Sequence, residues 1–529
     1  MLTPQRSNKS RREVARNTSL PAPVKGWSSF DSMAEADPQT ALVIDNFFPE
    51  SDAVRARHGC VVKSTGIGGS VDSLLVYPSQ TASSKLFAAK ASSIYDCTAG
   101  GAVGAAVVTG LTNGRWSQTM FANSAGQFLV ICNGADGVRT YDGTTWANRT
   151  GNITATGGSV TSFTSVCAHM QRLWFIEDGT TNLWYLPTFN VAAAATNATL
   201  FPVGAYLKLG GKPLAICTWS SPEAYQLADM LVVISDRGEG LVFQGTDPGS
   251  AATWQLKVRF EASPPMSARC FMPIGGDVLL LTEMGLLPIS QILEIDPAAL
   301  SQKAMTRNIR RAYRDAATGA RNIFGWCITS LPQANMGIIN VPAYGSQPSQ
   351  QFVLNTVTGA WCRFTGWNAI SWAYLDGAIY YGDATGKVYR AEYGANDNGV
   401  VIPGFVVPAF SHLGAEGRLK SVHFVRPIIY TDTNIAVGVA AAVDYTIPSI
   451  YPNLGAFESG HYFTWDVSIW DGTDVWRGDT YNINWEGIGN VGTTISPAFA
   501  ASIDAGASGD SFQLRVIGFD LVYEVGGVV

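Results

Sequence analysis

GQFLVICNGADGVRTYDGTTW, residues 126–146, decides how this chain is read. Phe128 to Cys132 form an apolar run with strong β propensity, NGADG supplies a turn, and VRTY resumes as a strand. Asp142-Gly143 then makes a second tight turn of the kind that joins hairpin strands. The same strand–turn–strand pattern recurs upstream in SKLFAAKASSIYDCT from Ser84, and downstream in QRLWFIEDGTTNLWYL from Gln171 and DMLVVISDRGEGLVFQG from Asp229. Further copies are GDVLLLTEMGLLPIS from Gly276, QQFVLNTVTGAWCRF from Gln350 and LDGAIYYGDATGKVYRA from Leu375. Most starts are spaced roughly 40 to 75 residues apart, near the repeat of four-stranded blades set around an axis. No copy carries an obvious set of reacting groups. The repeats therefore read as scaffold.

The composition fits a β-rich protein. Only 14% of the 529 residues are charged and 11% are aromatic, while 55 are glycine. An apolar fraction of 47% argues against glycine-rich disorder. The net charge of −6 gives no global signal for nucleic acid, but the charge is unevenly placed. Residues 1–26 hold Arg6, Lys9, Arg11, Arg12, Arg16 and Lys25 against the single acid Glu13. Such a basic arm on an acidic body can tie one subunit to the next or reach towards a polyanion. The eight cysteines never come closer than 35 residues and form no metal-ligand pair. Most lie within apolar runs, as reduced thiols do, which fits assembly in a reducing cytosol. The sequence predicts neither a signal peptide nor a membrane span, since no apolar run approaches the required length.

The expected class is mainly β: a β-propeller of six or seven blades, with a helical insertion and a C-terminal β-sandwich-like domain. Residues 1–26 read as an arm and 27–70 as an entry segment of short strands. Residues 71–405 carry the repeats, and 406–529 the terminal domain, whose GRLKSVHFVRPIIYTDT and SFQLRVIGFDLVYEV alternate apolar and polar residues. One segment breaks the β pattern. Asp296 and Pro297 resemble an N-cap and first turn, opening a helix expected over about 297–318 and ending near Gly319. Met305, Ile309, Ala312 and Ala316 share one face of it, and Lys303, Arg307, Arg310 and Arg314 another. Too long for a blade turn, it reads as an insertion standing off the scaffold. With Arg311 it carries five cations against Asp315, so phosphate or an acidic neighbour competes with plain solvation as the use of this face.

Other candidate chemistry is weaker. Gly211-Lys212-Pro213 lacks the glycine of a phosphate loop, which would fall at Tyr206, and Pro213 replaces its hydroxyl residue. Gly386-Lys387 fails in the same way, and there is no nucleophile elbow or zinc-protease motif. The histidines at 58, 169, 412, 423 and 461 are scattered singly. Residues 142–146, DGTTW, are similar to the turn of sialidase propellers but occur once in that form, so a carbohydrate-binding or glycan-cleaving propeller is the alternative reading. Asp466, Asp471, Asp474 and Asp479 read as solvated loop acids rather than a calcium site. Trp465, Trp470, Trp476 and Trp485 read as core or interface before they read as a sugar platform. A cytosolic propeller that docks host proteins is a further option. No metal or cofactor is expected.

Three places in this order resemble the tail nozzle, or hub, proteins of short-tailed bacteriophages, also known as packaged-DNA stabilisation proteins. ALVIDNFFPESDAVRARHGC at 41–60 looks like the family's entry, with Asn46-x-x-Pro49 before Arg57-x-Gly59. GLLPISQILEIDPAALSQKAMTRNIRRAY at 285–313 looks like its helical insertion, and FSHLGAEGRLKSVHFVRPIIY at 410–430 like the junction to its terminal β domain. The resemblance implies a structural virion protein with no catalytic site, assembled in the host cytoplasm into a ring, typically a hexamer, in the virion tail. That ring would sit below the portal and adaptor, continue the DNA channel, support tail fibres or spikes, and hold packaged double-stranded DNA without sequence preference. Lys303, Arg307, Arg310, Arg311 and Arg314 are the residues expected to face DNA or a partner. Arg6, Lys9, Arg11, Arg12 and Arg16 are expected to contact a neighbouring subunit.

Overall fold

The computed structural model describes residues 15–29, 36–79, 83–223, 226–294, 299–431, 435–447, 480–481, 485–504 and 512–528. The chain is mainly β, with 54% in strands and 9% in helices. It divides into two units: residues 1–57, 360–363 and 399–529 make the first, and 58–359 with 364–398 the second. Among the described residues no helix is long and apolar enough to cross a membrane.

The second unit is a succession of small antiparallel sheets in chain order. Sheet I holds Ser73–Tyr77, Lys85–Lys90, Ser93–Asp96 and Val108–Thr109, and sheet II Ser117–Asn123, Gly126–Cys132, Val138–Tyr141 and Trp146–Asn148. Sheet III holds Phe163–His169, Arg172–Glu177, Asn182–Tyr185 and Thr199–Pro202; sheet IV holds Pro213–Glu223, Gln226–Ser235, Glu239–Gly245 and Trp254–Glu261. Sheet V stops at three strands, Phe271–Ile274, Asp277–Thr282 and Gly285–Pro288. Sheet VI contains Cys327–Leu331, Met336–Val341 and Gln350–Asn355, and sheet VII Ala369–Leu375, Ala378–Asp383 and Val388–Ala391. The seven repeats read from the sequence fall one in each sheet.

Each sheet packs on the next, and the last packs on the first. Ser117–Asn123 lies against Phe163–His169, which lies against Pro213–Glu223; Cys327–Leu331 touches Ala369–Leu375, which touches Ser73–Tyr77. Apolar residues on both faces of the inner strands produce this arrangement. Leu75, Phe87, Leu129 and Tyr141 share a core between sheets I and II; Val130, Phe163, Phe175 and Trp184 share one between II and III. Trp174, Leu183, Leu231 and Phe243 fill the space between III and IV, and Leu74, Ala88, Ala373 and Val388 that between I and VII. Each such large side chain contributes about 1.5–3 kcal/mol by leaving water. One strand from the start of this unit joins its last sheet. Cys60–Thr65 runs antiparallel to Val388–Ala391, with Cys60 opposite Ala391 and Ser64 opposite Val388.

A polar device repeats where one sheet leads into the next. Asp136, in the second turn of sheet II, accepts the Thr112 N–H at 2.9 Å. Glu177 of sheet III accepts from Ser159 N–H at 2.6 Å and from Trp184 Nε1 at 2.9 Å. Glu239 of sheet IV accepts from the N–H groups of Lys208 and Leu209, each at 2.8 Å. Each carboxylate satisfies backbone donors of the linker that enters its own sheet, fixing where that sheet begins.

The first unit consists of two sheets stitched from distant parts of the chain. One contains Thr480–Tyr481, Arg418–Thr431, Leu514–Val528, Val54–Ala56 and Phe47–Pro49, with Arg16–Pro21 also paired to Leu514–Val528 and Glu486–Gly492 to Arg418–Thr431. The other places Gly26–Trp27, Thr40–Asp45, Ile402–Pro408, Ile495–Ile503 and Ala436–Val443 side by side. Phe47 and Phe499 meet edge to face with centroids 6.0 Å apart. Two sequence boundaries shift accordingly. The terminal domain expected at 406–529 also takes strands from the first 57 residues, and the entry segment of 27–70 is divided between the units. Residues 16–21 of the basic arm are a strand of this unit, Arg16 opposite Tyr523 and Pro21 opposite Gly518. The alternation of RNTSLP suits an edge strand better than a free tail. Arg6, Lys9, Arg11 and Arg12 lie outside the described residues.

Candidate anion-binding surface on the helical segment

The helical segment follows directly from sheet V. It comprises α1 (Ile289–Glu294), α2 (Leu300–Lys303), a 3-10 turn (Met305–Ile309) and α3 (Arg310–Ala320). The expected single helix over 297–318 is thus broken, because Ala304 takes extended angles of φ −56° and ψ 134° between α2 and the 3-10 turn. Asp296 and Pro297 lie outside the described residues. Nor does the segment stand off the scaffold. Leu300, Ile309, Tyr313, Ala316, Ala317 and Ala320 are all buried, whereas Met305 and Ala312 of the expected anchoring face are only half-buried. The break at Ala304 resets the helical phase, so a count carried across it misplaces the face.

Specific bonds hold α3 in place. The Tyr313 hydroxyl donates to the Thr282 carbonyl inside the core, and Leu286 N–H donates to Thr306 Oγ1 at 3.2 Å. Burial pushes the Tyr313 phenol well above its usual range, so it remains a neutral donor. Gly285, at φ +136°, brings the hairpin so near that a Cβ there would meet Thr306 Oγ1 at 2.1 Å. Trp326 Nε1 donates to the Ala320 carbonyl at 2.9 Å and satisfies the end of the helix. The helix ends at Ala320, beside Gly319 as the sequence led one to expect, although not with Gly319 as the cap itself. Gly319 lies inside α3, where a Cβ would meet the Tyr344 ring at 2.5 Å.

With this face buried, the cations point elsewhere. Lys303, Arg307, Arg311 and Arg314 are exposed and Arg310 is half-buried. Lys303, Arg310, Arg311 and Arg314 make no ion pair among the described residues. Arg310, Arg314 and Arg321 line a cavity of about 470 Å³ together with Ser263, Glu283, Met284, Ser301, Tyr313 and Thr318. Arg321 is paired with Glu283. The segment therefore presents an outer group, Lys303, Arg307 and Arg311, and an inner group around the cavity. The sequence identified the cations but missed Arg321 and Glu283, whose pairing depends on a hairpin turn and a helix end meeting.

The remaining candidates are occupied structurally. Asp142 of DGTTW accepts from the N–H and hydroxyl groups of Thr144 and Thr145, which together outweigh the opposing effect of burial and lower its pKa to about 2. His169 is buried beside Thr218 Oγ1 at 3.3 Å, and desolvation pulls it down to about 4. All eight cysteines are free, and burial pushes Cys270 and Cys327 up to about 12. Among the described residues no three acids, histidines or cysteines are grouped to hold a metal ion. Asp466, Asp471, Asp474, Asp479, Trp465, Trp470 and Trp476 lie outside the described residues. Trp485 is exposed, with the Arg426 guanidinium 4.8 Å from its ring centroid.

No protein-family model matches the chain, and no curated protein matches it. Solved structures do. The β-propeller domain of Cps50 (Swd1) from Myceliophteria thermophila is 9% identical, covering 63% of this chain and 99% of that one at a TM-score of 0.39. The computationally designed Ika8 protein is 11% identical over 63% of this chain and 97% of its own, with a TM-score of 0.33. A quinonprotein alcohol dehydrogenase-like protein from Bacteroides thetaiotaomicron is 10% identical over 60% of this chain and 68% of its own, also at 0.33. None of these likenesses bears on function.

Proposed function

We propose that this protein is a structural component of a bacteriophage tail, a nozzle or hub ring of the short-tailed type, and that it catalyses no reaction. In this reading the second unit is a seven-bladed β-propeller, closed by the strand Cys60–Thr65, with a helical insertion after its fifth blade. The first unit is the β-sandwich-like domain. Copies assemble into a ring, a hexamer by the family resemblance, between the portal-adaptor and the fibres or spikes.

The observation that carries the reading is a cationic group held on a buried anchor. Ile309, Tyr313 and Ala316 fix the segment on sheet V, while exposed Lys303, Arg307 and Arg311 set positive charge at the surface, where a polyanion can meet it. Phosphate recognition of this kind is salt-sensitive and carries no base information, so DNA is retained and still slides. Replacing Lys303, Arg307 and Arg311 by Gln should flatten the salt dependence of duplex binding by up to about 0.9 in logarithmic slope for each phosphate no longer neutralised. Filled particles carrying the variant should lose DNA sooner than wild type. Unchanged retention and ejection would reduce this surface to ordinary solvated charge. Native mass measurement of the assembly tests the ring, and a monomer at all concentrations would overturn it.

A further inference from the structure

We infer that the cavity beside α3 is a separate site for a phosphomonoester of nucleotide size. Its walls are Ser263 from the linker before sheet V, Glu283 and Met284 from the turn after Asp277–Thr282, Ser301 of α2, and Arg310, Tyr313, Arg314, Thr318 and Arg321 from α3 and its end. Three guanidinium groups face one carboxylate, and that carboxylate is already engaged by Arg321. The two remaining, Arg310 and Arg314, are one helical turn apart and make no ion pair among the described residues. The balance inside the cavity is two positive charges, which matches a doubly ionised phosphate monoester.

The donor set also favours phosphate over carboxylate. Two planar forks supply paired N–H donors, and the hydroxyls of Ser263, Ser301 and Thr318 add three more groups able to donate. A carboxylate has two oxygens to offer them, whereas a terminal phosphate has three. The Glu283–Arg321 pair demonstrates that an anion is accommodated at this wall. At about 470 Å³ the cavity exceeds a bare phosphate and falls in the range of small-molecule sites. Met284, which is 53% exposed, and Ala317 supply apolar surface for the sugar and base. An internal phosphodiester carries a single charge, so this doubly charged ligand differs from the DNA duplex proposed for the outer cations. The two sites use different residues, and neither depends on the other. The same chemistry is presented by a free nucleotide and by the 5′ end of a DNA strand.

Calorimetric titration of the full chain with thymidine 5′-monophosphate, and with thymidine as the uncharged control, tests the site. The monophosphate should bind at least about 10-fold more tightly than thymidine, and the double variant Arg310→Gln, Arg314→Gln should weaken it by about 10- to 100-fold. Glu283→Gln frees Arg321 and should tighten binding, a gain that damaged folding cannot imitate. A strand with a 5′-phosphate that displaces the nucleotide, where its 5′-hydroxyl counterpart does not, identifies a DNA end as the source. Displacement by neither strand identifies the free nucleotide. Equal or absent binding of thymidine and its monophosphate, or wild-type binding by the double arginine variant, overturns the site. Failure here with salt-dependent duplex binding intact leaves the proposed function standing, and the reverse result removes that function alone.

Discussion

The two units build their sheets by opposite routes. In the second, most strands pair with their sequence neighbours; the exceptions include Cys60–Thr65 and Gly101–Ala102, which join the last sheet, and the short parallel pair Ile153–Thr154 and Thr196–Asn197. In the first, partners lie at opposite ends of the chain. Ser19 Oγ donates to Asp520 Oδ1 at 2.5 Å although the two are 501 positions apart, and Asn46 donates from Nδ2 to the Pro403 carbonyl at 2.8 Å. Local pairing makes a repeated, readable scaffold. Distant pairing makes a unit that exists only once both ends of the chain are present, and long loops must close before its contacts form.

The sharpest way to break this contrast is at Asn46. It is fully buried at φ 58°, a left-handed conformation that asparagine tolerates, and its Oδ1 accepts from Arg57 Nε at 2.8 Å. Asn46→Ala removes that acceptor from a buried guanidinium and should cost about 3–5 kcal/mol. Hydrogen exchange should quicken in Thr40–Asp45 and Ile402–Pro408 while sheets II to IV keep their protection. Equal loss in both units would show that they do not unfold separately.

Acid should act on the second unit in a defined window. The folded pKa of His169 is lowered from 6.5 to about 4, so the unfolded chain binds the extra proton between those values. Stability from the buried neutral ring is present above pH 6.5 and falls by about 3 kcal/mol as the pH drops towards 4. Chemical denaturation across this range, compared with His169→Gln, should show the slope in wild type and its loss in the variant. An identical slope in both would assign it to other groups.

A smaller effect is expected at the linker clamps. Glu177→Ala strips the acceptor from Ser159 N–H and Trp184 Nε1 and should cost about 2 kcal/mol, with exchange raised in sheets II and III only. The smallest change should follow Lys303→Gln, Arg307→Gln and Arg311→Gln together. As exposed charges they should alter unfolding free energy by no more than about 0.5 kcal/mol each, even as the salt dependence of DNA binding flattens. A large loss of stability would mean that these side chains hold the fold rather than a ligand.

Much of the second unit was legible because hairpin-forming sequence is local. An apolar run, an Asp-Gly or Asn-Gly turn and a second run lie within some twenty residues, as at 126–146. The helical segment was legible in part. Its cations were plain, but the extended Ala304 resets the phase, and no periodicity count crosses such a break. The clamps at Asp136, Glu177 and Glu239 leave only an ambiguous signal in their acidic hairpin turns, since turns favour acids for other reasons as well.

By itself the sequence determined the β character of this protein, its seven hairpin repeats, its buried thiols and the concentration of positive charge after sheet V, all properties of near neighbours along the chain. Tertiary structure alone decided that Cys60–Thr65 pairs with Val388–Ala391, that Arg16–Pro21 pairs with the last strand, and that Arg310, Arg314 and Arg321 meet Glu283 around one cavity. Strand edges accept many partners through the same backbone groups, so the choice among them falls to side-chain packing between residues hundreds of positions apart, which leaves no period in the sequence.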